Sequence, residues 1–512
     1  MGRRSARDPA HLRGPAQGPD GSDGGTTSRR AQLTGPGSLR YGTAEARWVL
    51  AASVLGSGVV FLDGTVVNVA LPAIGRDFHA PVSTLQWTID AYLVTLSALI
   101  LLGGSLGDRY GRRSVFVAGL GGFVVASLLC AVAPTSALLI AARAVQGVGG
   151  ALLVPGSLAI ISTTFHPDDR GRAIGMWSGL AGVVSAIGPF VGGWLIDAAT
   201  WRLIFLVNVP LAALAGYIAL RHVPDTRDPE PGPPDWLGAA LVSLGLAGLA
   251  YALIERRTGA VAGGVGAVAL VAFVLRERST THPMLPLRLF RSRQFTGANL
   301  TTFAVYGALG GALFLVVLRL QISLGYSALA AGASLVPFTL LMLLLSPAAG
   351  QLAQRIGPRI PMTVGPLLAS AGLGLFARIA PGSTFLGTVL PAVTVFGLGM
   401  TLTVAPLTAT VLAAVDDERA GTASGVNNAV ARLSGLVAVA VLPALAGIGG
   451  ASLAAGLAHG YADAMWIAAG TCAAGAAASF LLVRDTVPVR RGVRPDILLP
   501  CDDPPYDPPG GP

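Results

Sequence analysis

The stretch GGSLGDRYGRR at residues 103–113 returns as AGQLAQRIGPR at residues 349–359. Gly104, Leu106, Arg109, Gly111 and Arg113 are matched in the second copy at an offset of 246, and each copy follows directly on a long apolar run. The apolar runs that begin near residues 48 and 297 keep almost the same spacing. The two copies therefore mark equivalent points in two halves of one chain that share an orientation.

Composition says what kind of halves these are. Apolar residues make up 53% of the 512, and with the 68 glycines they reach about two thirds, against roughly half in soluble domains. Only 12% are charged, too few to cover the surface of a water-soluble protein of this length. The chain contains no lysine, so all 35 basic residues are arginine. A phosphate-binding loop of the G-x-x-x-x-G-K-[ST] type and a pyridoxal Schiff base both require lysine, so neither is available. No cofactor is expected, and any work must draw on a gradient or on a partner. The net charge of +9 is scattered among apolar runs rather than gathered on one face, which argues against nucleic-acid binding. Cys130, Cys472 and Cys501 share no C-x-x-C spacing, and no clustered metal ligands occur.

From Arg47 onward, fourteen apolar runs of about 16 to 28 residues follow one another, near the length a helix needs to cross ~30 Å of hydrocarbon. They lie at 48–70, 85–106, 114–134, 137–163, 172–196, 203–221, 236–254, 260–275, 297–318, 328–349, 361–380, 385–412, 428–447 and 464–483. Fourteen spans put both tails on one side. With the tails inside, 27 arginines face the cytoplasm, six lie outside and two (Arg143, Arg432) fall within spans. The positive-inside rule then places both termini in the cytoplasm. The expected layout is a Gly/Pro/Arg-rich disordered tail over 1–46, a six-helix half over 47–221, and a linker with two extra helices over 222–296. A second six-helix half follows over 297–483, and a Pro-rich tail over 484–512. The Arg3-Arg4 pair has no apolar h-region after it and is not read as an export signal.

Ionisable groups inside spans are costly and mark function first. Asp63 lies about fifteen residues into the first run, where a charge costs ~2.5 kcal/mol or more. It is the first candidate for a proton site; the plain alternative is a structural carboxyl bonded to Thr65 or Asn68. Asp90, near the outer end of the second run, is either a second proton or cation site or an interfacial residue wetted from outside. Arg143 carries Gln146 and Gly147 at i+3 and i+4, which sets a cation, an amide and a gap on one helix face. Its guanidinium requires a partner or a route to an interface. Arg432 is read as sitting near the cytoplasmic end of its run. In the fifth run, glycines at 175, 179 and 182 and the Gly188-Pro189 and Gly192-Gly193 pairs form a small-residue seam for close helix packing. In the loop 103–113, Asp108 can pair with Arg109, Arg112 or the start of the next helix.

Three segments taken in order resemble the major facilitator superfamily, and within it the fourteen-span drug:proton antiporters. They are FLDGTVVNVALPAIGRDF (61–78), GGSLGDRYGRR (103–113), and RAVQGVGGALLVP (143–155) with GLAGVVSAIGPFVGGWLIDAATWRLIFLVNVP (179–210). The match covers roughly residues 48–220. The resemblance implies an all-α membrane fold, two parallel six-helix halves plus two inserted helices, that exports small lipophilic compounds, often antibiotics or dyes, against protons. It also implies a monomer in the bacterial cell membrane, without enzymatic activity. Asp63, Asn68, Asp90, Arg143 and Gln146 are the candidate proton and substrate site, and the resemblance assigns Arg143 to proton transfer. By resemblance, Gly104, Asp108, Arg109, Gly111, Arg112 and Arg113 form a cytoplasmic gate, and Gly188, Pro189, Gly192 and Gly193 an antiport seal. An importer or symporter on the same fold, or a non-transporting sensor, are the alternatives. The GGSLG segment also satisfies G-x-S-x-G, but no strand precedes it and no histidine lies deep in a span, so a hydrolase is set aside.

Overall fold

The computed structural model describes residues 37, 39–255, 258–415, 420–448 and 453–485. Arg256, Arg257, Cys501, the Arg3-Arg4 pair and most of both tails lie outside the described residues. Among the described residues, fourteen helices are long and apolar enough to cross a membrane. They are α1 (Ala44–Asp77), α2 (Val82–Tyr110), α3 (Arg112–Ala131), α4 (Ser136–Thr164), α5 (Pro167–Ala198), α6 (Leu203–His222) and α7 (Trp236–Ile254). The series continues with α8 (Ala260–Ser279), α9 (Arg293–Ser323), α10 (Ala328–Ile356), α11 (Arg359–Phe376), α12 (Phe385–Ala413), α13 (Gly421–Leu445) and α14 (Leu453–Leu482). No strand occurs among the described residues. A bundle of helices is one of the two answers a bilayer allows, since a helix satisfies every backbone polar group within its own segment and the other answer is a closed barrel.

Local chemistry sets the helix ends. Thr43 and Thr135 cap α1 and α4 by accepting from the Ala46 and Leu138 amides. Asp235 caps α7 through the Gly238 amide at 2.8 Å and holds Arg276 of α8 at 2.7 Å, tying the inserted pair together at one end. Burial pushes the Asp235 carboxyl up, but the Arg276 hydrogen bond, the Gly238 amide and the Arg276 charge together leave it below the usual carboxylate range.

The repeat noted in the sequence is a repeated corner. Gly111 (φ +106°) and Gly357 (φ +87°) each end one helix in the left-handed region, where a residue with a Cβ is strained, and the next helix starts at once. In both halves an aspartate that follows the sixth helix returns to this corner. Asp225 accepts from the Ser114 amide at 3.4 Å and the Ser114 hydroxyl at 2.6 Å, and Asp485 accepts from the Arg359 amide at 3.0 Å.

Within the first half α2 and α4 pack closely, as do α3 with α4 and α1 with α5; α11, α12, α14 and α9 form the corresponding cluster in the second. The inserted α7 lies on α2 and α13, one helix from each half, and α8 packs on α7. The halves meet along α2–α13 and α5–α10. At the α5–α10 seam, Gly193 and Gly332 have no room for a Cβ: a methyl there would meet the Ala328 and Pro189 carbonyls. Asp197 bridges the same seam by accepting from the amides of Ala328 (3.1 Å) and Leu329 (2.9 Å) at the start of α10. Gln321 donates to the Val69 carbonyl nearby at 2.9 Å. Toward the other end of α5, Gly171, Gly175, Gly179 and Gly182 have nothing within 4 Å of a Cβ position. The α5–α10 contact is thus confined to the end away from the tails, while α2 and α13 also touch toward the tail end, where Leu101 lies 3.4 Å from the position a Cβ on Gly425 would occupy.

Two expectations need correction. Order begins before residue 47: the Gly37 and Leu39 amides donate to the Thr163 and Thr164 carbonyls, Leu39 pairs with Phe165, and α1 starts at Ala44. Backbone pairing with the end of α4 holds this segment, a contact that composition alone does not reveal. Likewise Arg484 and Asp485, assigned to the C-terminal tail, bond to Gln294 and Arg359.

Candidate proton and substrate site

Asp63 and Arg143 are an enclosed ion pair, 0% and 1% exposed. Asp63 is the twentieth residue of α1, and Arg143 reaches it from α4. The guanidinium also donates to the Gln146 side-chain oxygen (2.5 Å) and, across to α2, to the Thr88 carbonyl (3.0 Å). It lies 4.3 Å from the Tyr92 ring centroid and 5.8 Å from that of Phe205. Gly147 makes this reach possible, because a side chain there would strike the Tyr92 carbonyl and the Thr95 hydroxyl and push α4 away from α2.

The second carboxylate oxygen is equally committed. Gln146 donates to it at 3.0 Å, and Asn208 of α6 at 3.0 Å. Gln146 also donates to Ser127 of α3 at 2.9 Å, and the Cys130 thiol lies 3.7 Å from its oxygen. Five helices of the first half, α1, α2, α3, α4 and α6, therefore converge on one buried charge pair. Isolated, each charge would be prohibitive at this depth; paired and multiply hydrogen-bonded, both are tolerated.

The structure brings Asp63, Arg143 and Gln146 together and leaves Asn68 out. Asn68 donates to the Gly64 carbonyl of its own helix at 3.1 Å and is half-buried. Five residues on from Asp63 it has turned about 140° around the helix, given 3.6 residues per turn. Thr65 is no partner of Asp63 either, since its hydroxyl donates to the Leu62 and Ser185 carbonyls, each at 2.9 Å. The place expected for Thr65 or Asn68 is taken by Asn208. The signal was a lone amide in the apolar stretch IFLVNVP, because a buried amide must find a partner.

Asp90 is 0% exposed, and both its oxygens lack a hydrogen-bond partner among the described residues. The interfacial, wetted reading is therefore wrong. One turn earlier on α2, Gln86 donates to the Val439 carbonyl of α13 at 2.7 Å, which places Asp90 close to the seam between the halves. An ionised carboxylate here has nothing to offset its desolvation.

At the loop 103–113, Arg112 takes Asp108 at 2.7 Å, the i,i+4 option among those expected. The loop is strapped by the chain after α6: the Arg112 amide donates to the Thr226 carbonyl (2.9 Å), the Asp228 amide to the Asp108 carbonyl (2.9 Å), and Arg113 to the Val223 carbonyl (3.2 Å). Gly104 sits against Pro155 of α4, and Arg109 lies by its neighbour Tyr110. In α5 the close seam is confined to Gly188, Gly192 and Gly193. Gly188 faces Thr65, Gly192 faces Val66, and Gly193 faces α10, whereas Gly175, Gly179 and Gly182, expected to pack, face open space.

Arg432 also departs from expectation. Because α13 begins at Gly421 rather than near 428, Arg432 sits mid-helix, and its guanidinium lies 5.1 Å from the Phe61 ring of α1.

These features define a polytopic membrane transporter built from two six-helix halves around a buried charge network. The sequence profile of the Major Facilitator Superfamily matches residues 53–439, and the chain belongs to that family. Among its relatives is the multidrug resistance protein Stp of Mycobacterium tuberculosis, 35% identical over 77% of this chain and 74% of the relative. The tetracenomycin C resistance and export protein of Streptomyces glaucescens is 35% identical over 77% of this chain and 75% of its own length. The puromycin resistance protein of Streptomyces alboniger is 34% identical over 88% and 93%. A crystal structure of a bacterial homologue of the human lysosomal transporter Spinster, inward-facing and unoccupied, shares the fold with a TM-score of 0.62. That match is 18% identical and covers 86% of this chain and 97% of the other. The chain is a multi-pass membrane transporter and not an enzyme.

Proposed function

We propose that this protein exports hydrophobic or amphipathic drugs in exchange for protons, as a monomer with both chain ends in the cytoplasm. The observation that carries the reading is the Asp63–Arg143 pair, enclosed by donors from α4 and α6. A proton that neutralises Asp63 cancels the charge that Gln146, Asn208 and Arg143 are arranged around, so the five helices holding them must readjust. Proton uptake is thereby coupled to the packing of one half, which is what alternating access requires. Asp90, buried without a partner beside the α2–α13 seam, suits a second proton-carrying role, since protonation removes an uncompensated charge there. The resistance and export proteins of similar sequence support drugs as the substrate class.

Closure of the halves through Gly193, Gly332 and Asp197, with α5 free at its other end, supports one of the two access states, open toward the tails. In that state Asp63 is held in its ion pair with Arg143. The Asp108–Arg112 loop and its strap suit a gate that the second half engages in the opposite state. The driving force is adequate: about 100 mV supplies ~2.3 kcal/mol per charge and one pH unit ~1.4, so one proton sustains a gradient of roughly several hundredfold for a neutral solute. The test is accumulation of a panel of dyes and antibiotics in cells expressing wild type or Asp63→Asn, with and without a protonophore. Exclusion that needs both energy and Asp63 supports the reading; a variant that excludes the same compounds as wild type overturns it.

A further inference from the structure

We infer that Arg432 forms an anion-recognising site between the two halves, so that the exported substrates include lipophiles bearing an ionised acid such as a carboxylate or sulfonate. The inference rests on the efflux reading above and names the substrate class that reading leaves open. Arg432 lies at mid-helix in α13, with its guanidinium 5.1 Å from the Phe61 ring centroid and 3.9 Å from the position a Cβ on Gly64 would occupy. The phenols of Tyr92 (α2) and Tyr306 (α9) are within its electrostatic reach. A helix of the second half thus extends a cation across to α1 and α2 of the first.

The other arginines buried in the helical core are satisfied. Arg143 has a carboxylate, an amide and a carbonyl, and Arg319 has the Ile379 and Leu457 carbonyls and the Ser323 hydroxyl. Arg432 has no hydrogen-bond acceptor and no ion-pair partner among the described residues, although it carries five N–H donors and cannot shed its charge. The two acids on the facing helices do not serve it: Asp63 is taken by Arg143, Gln146 and Asn208, and neither oxygen of Asp90 receives a hydrogen bond. Nor is Arg432 sealed in. It is half-buried, as are Phe61, Gly64, Thr65 and Asn68 along α1 and Tyr306, Leu309, Gly310 and Leu313 along α9. Both sets recur at i, i+3, i+4 and i+7, one face of each helix. The Phe61 ring gives an aromatic ligand a face to stack on beside the guanidinium, which offers an acid group a forked, charge-assisted hydrogen bond. A lipophilic cation meets like charge there and no acid to offset it.

The experiment uses two probes with one scaffold, 8-anilinonaphthalene-1-sulfonate and the neutral N-phenyl-1-naphthylamine. Binding to purified wild type, Arg432→Gln and Arg432→Lys is measured by equilibrium dialysis against matched detergent, and proton-driven uptake is measured in proteoliposomes. The sulfonate is expected to bind wild type about tenfold or more tighter than Arg432→Gln, with the neutral probe changed by less than about twofold and Arg432→Lys in between. Equal loss of both probes, no loss of either, or failure of wild type to bind the sulfonate overturns the inference. Selective binding without energised uptake of either probe leaves the anion site standing and sinks the efflux reading. Uptake of both probes that is indifferent to Arg432 does the reverse.

Discussion

Replacing Asp63 by asparagine keeps the shape of the side chain and removes its charge. In the structure this leaves the Arg143 guanidinium, 1% exposed, with only neutral acceptors: the asparagine's own oxygen, the Gln146 oxygen and the Thr88 carbonyl. Removing one member of a buried ion pair costs about 3–5 kcal/mol, mostly as the penalty of the stranded charge. Asp63→Asn alone is therefore expected to destabilise the purified protein by that order, and Arg143→Gln alone by a similar amount. The double variant restores neutrality, and the glutamine that replaces Arg143 keeps an amide able to donate toward Gln146 and the Thr88 carbonyl. It should recover about a third of the summed loss, a coupling of roughly 2–3 kcal/mol in a double-mutant cycle. Reversible unfolding in mixed detergent micelles reads the three differences, and energised efflux is measured alongside. Stability should return in the double variant while transport stays absent, because the carboxylate that couples the proton to the five-helix network is gone. If the losses simply add, the two residues are not one energetic unit. If the double variant transports, Asp63 is not the carrier.

Other expectations follow from the same contacts. Asp197→Ala removes the acceptor of two first-turn amides of α10 and should weaken closure at the α5–α10 seam by about 1 kcal/mol, raising the population open at that end severalfold; distances between spin labels on α5 and α10 would show it. Gly193→Leu inserts a side chain where a methyl already meets the Ala328 carbonyl, so it should abolish transport with the protein still inserted; normal transport would contradict the seam. Asn208→Ala removes a donor to Asp63 and should cost about 1.5–3 kcal/mol, whereas Asn68→Ala, bonded only within its helix, should cost well under that. Asp235, held below the usual carboxyl range chiefly by Arg276 against the opposing effect of burial, contributes stability that is full above about pH 4 and lost as pH falls through its folded value. Asp235→Asn should flatten that acid limb of the unfolding profile.

Much of this was legible before any coordinates. Fourteen apolar runs gave fourteen helices, because the thickness of hydrocarbon and the satisfaction of the backbone leave a span few other forms. The matched Gly111 and Gly357 pointed to a repeated corner, and both proved to need the left-handed region. Asp63, Arg143 and Gln146 could be singled out because charge inside a span is rare and i, i+3 spacing puts two of them on one face. Contacts between helices were harder to see. Asn208 reaches Asp63 from 145 positions away, and only the packing of α6 on α1 decides that it, rather than Asn68, completes the site. The α5 glycines look alike in sequence, yet only Gly188, Gly192 and Gly193 touch a neighbour, since α5 packs closely on α1 and α10 along its second half. Arg432 was misplaced because polar residues at the start of α13 hid its first turns, shifting the apparent helix by about two turns.

The central claim is that proton movement and substrate movement are one process through Asp63. The most direct measurement is proton flux from proteoliposomes carrying an internal pH indicator, recorded when a transported compound is added to wild type or Asp63→Asn with no imposed gradient. The account predicts a substrate-driven pH change in wild type, none in Asp63→Asn, and retained substrate binding in both. Substrate movement without proton flux in wild type, or an unchanged pH signal in Asp63→Asn, would contradict it.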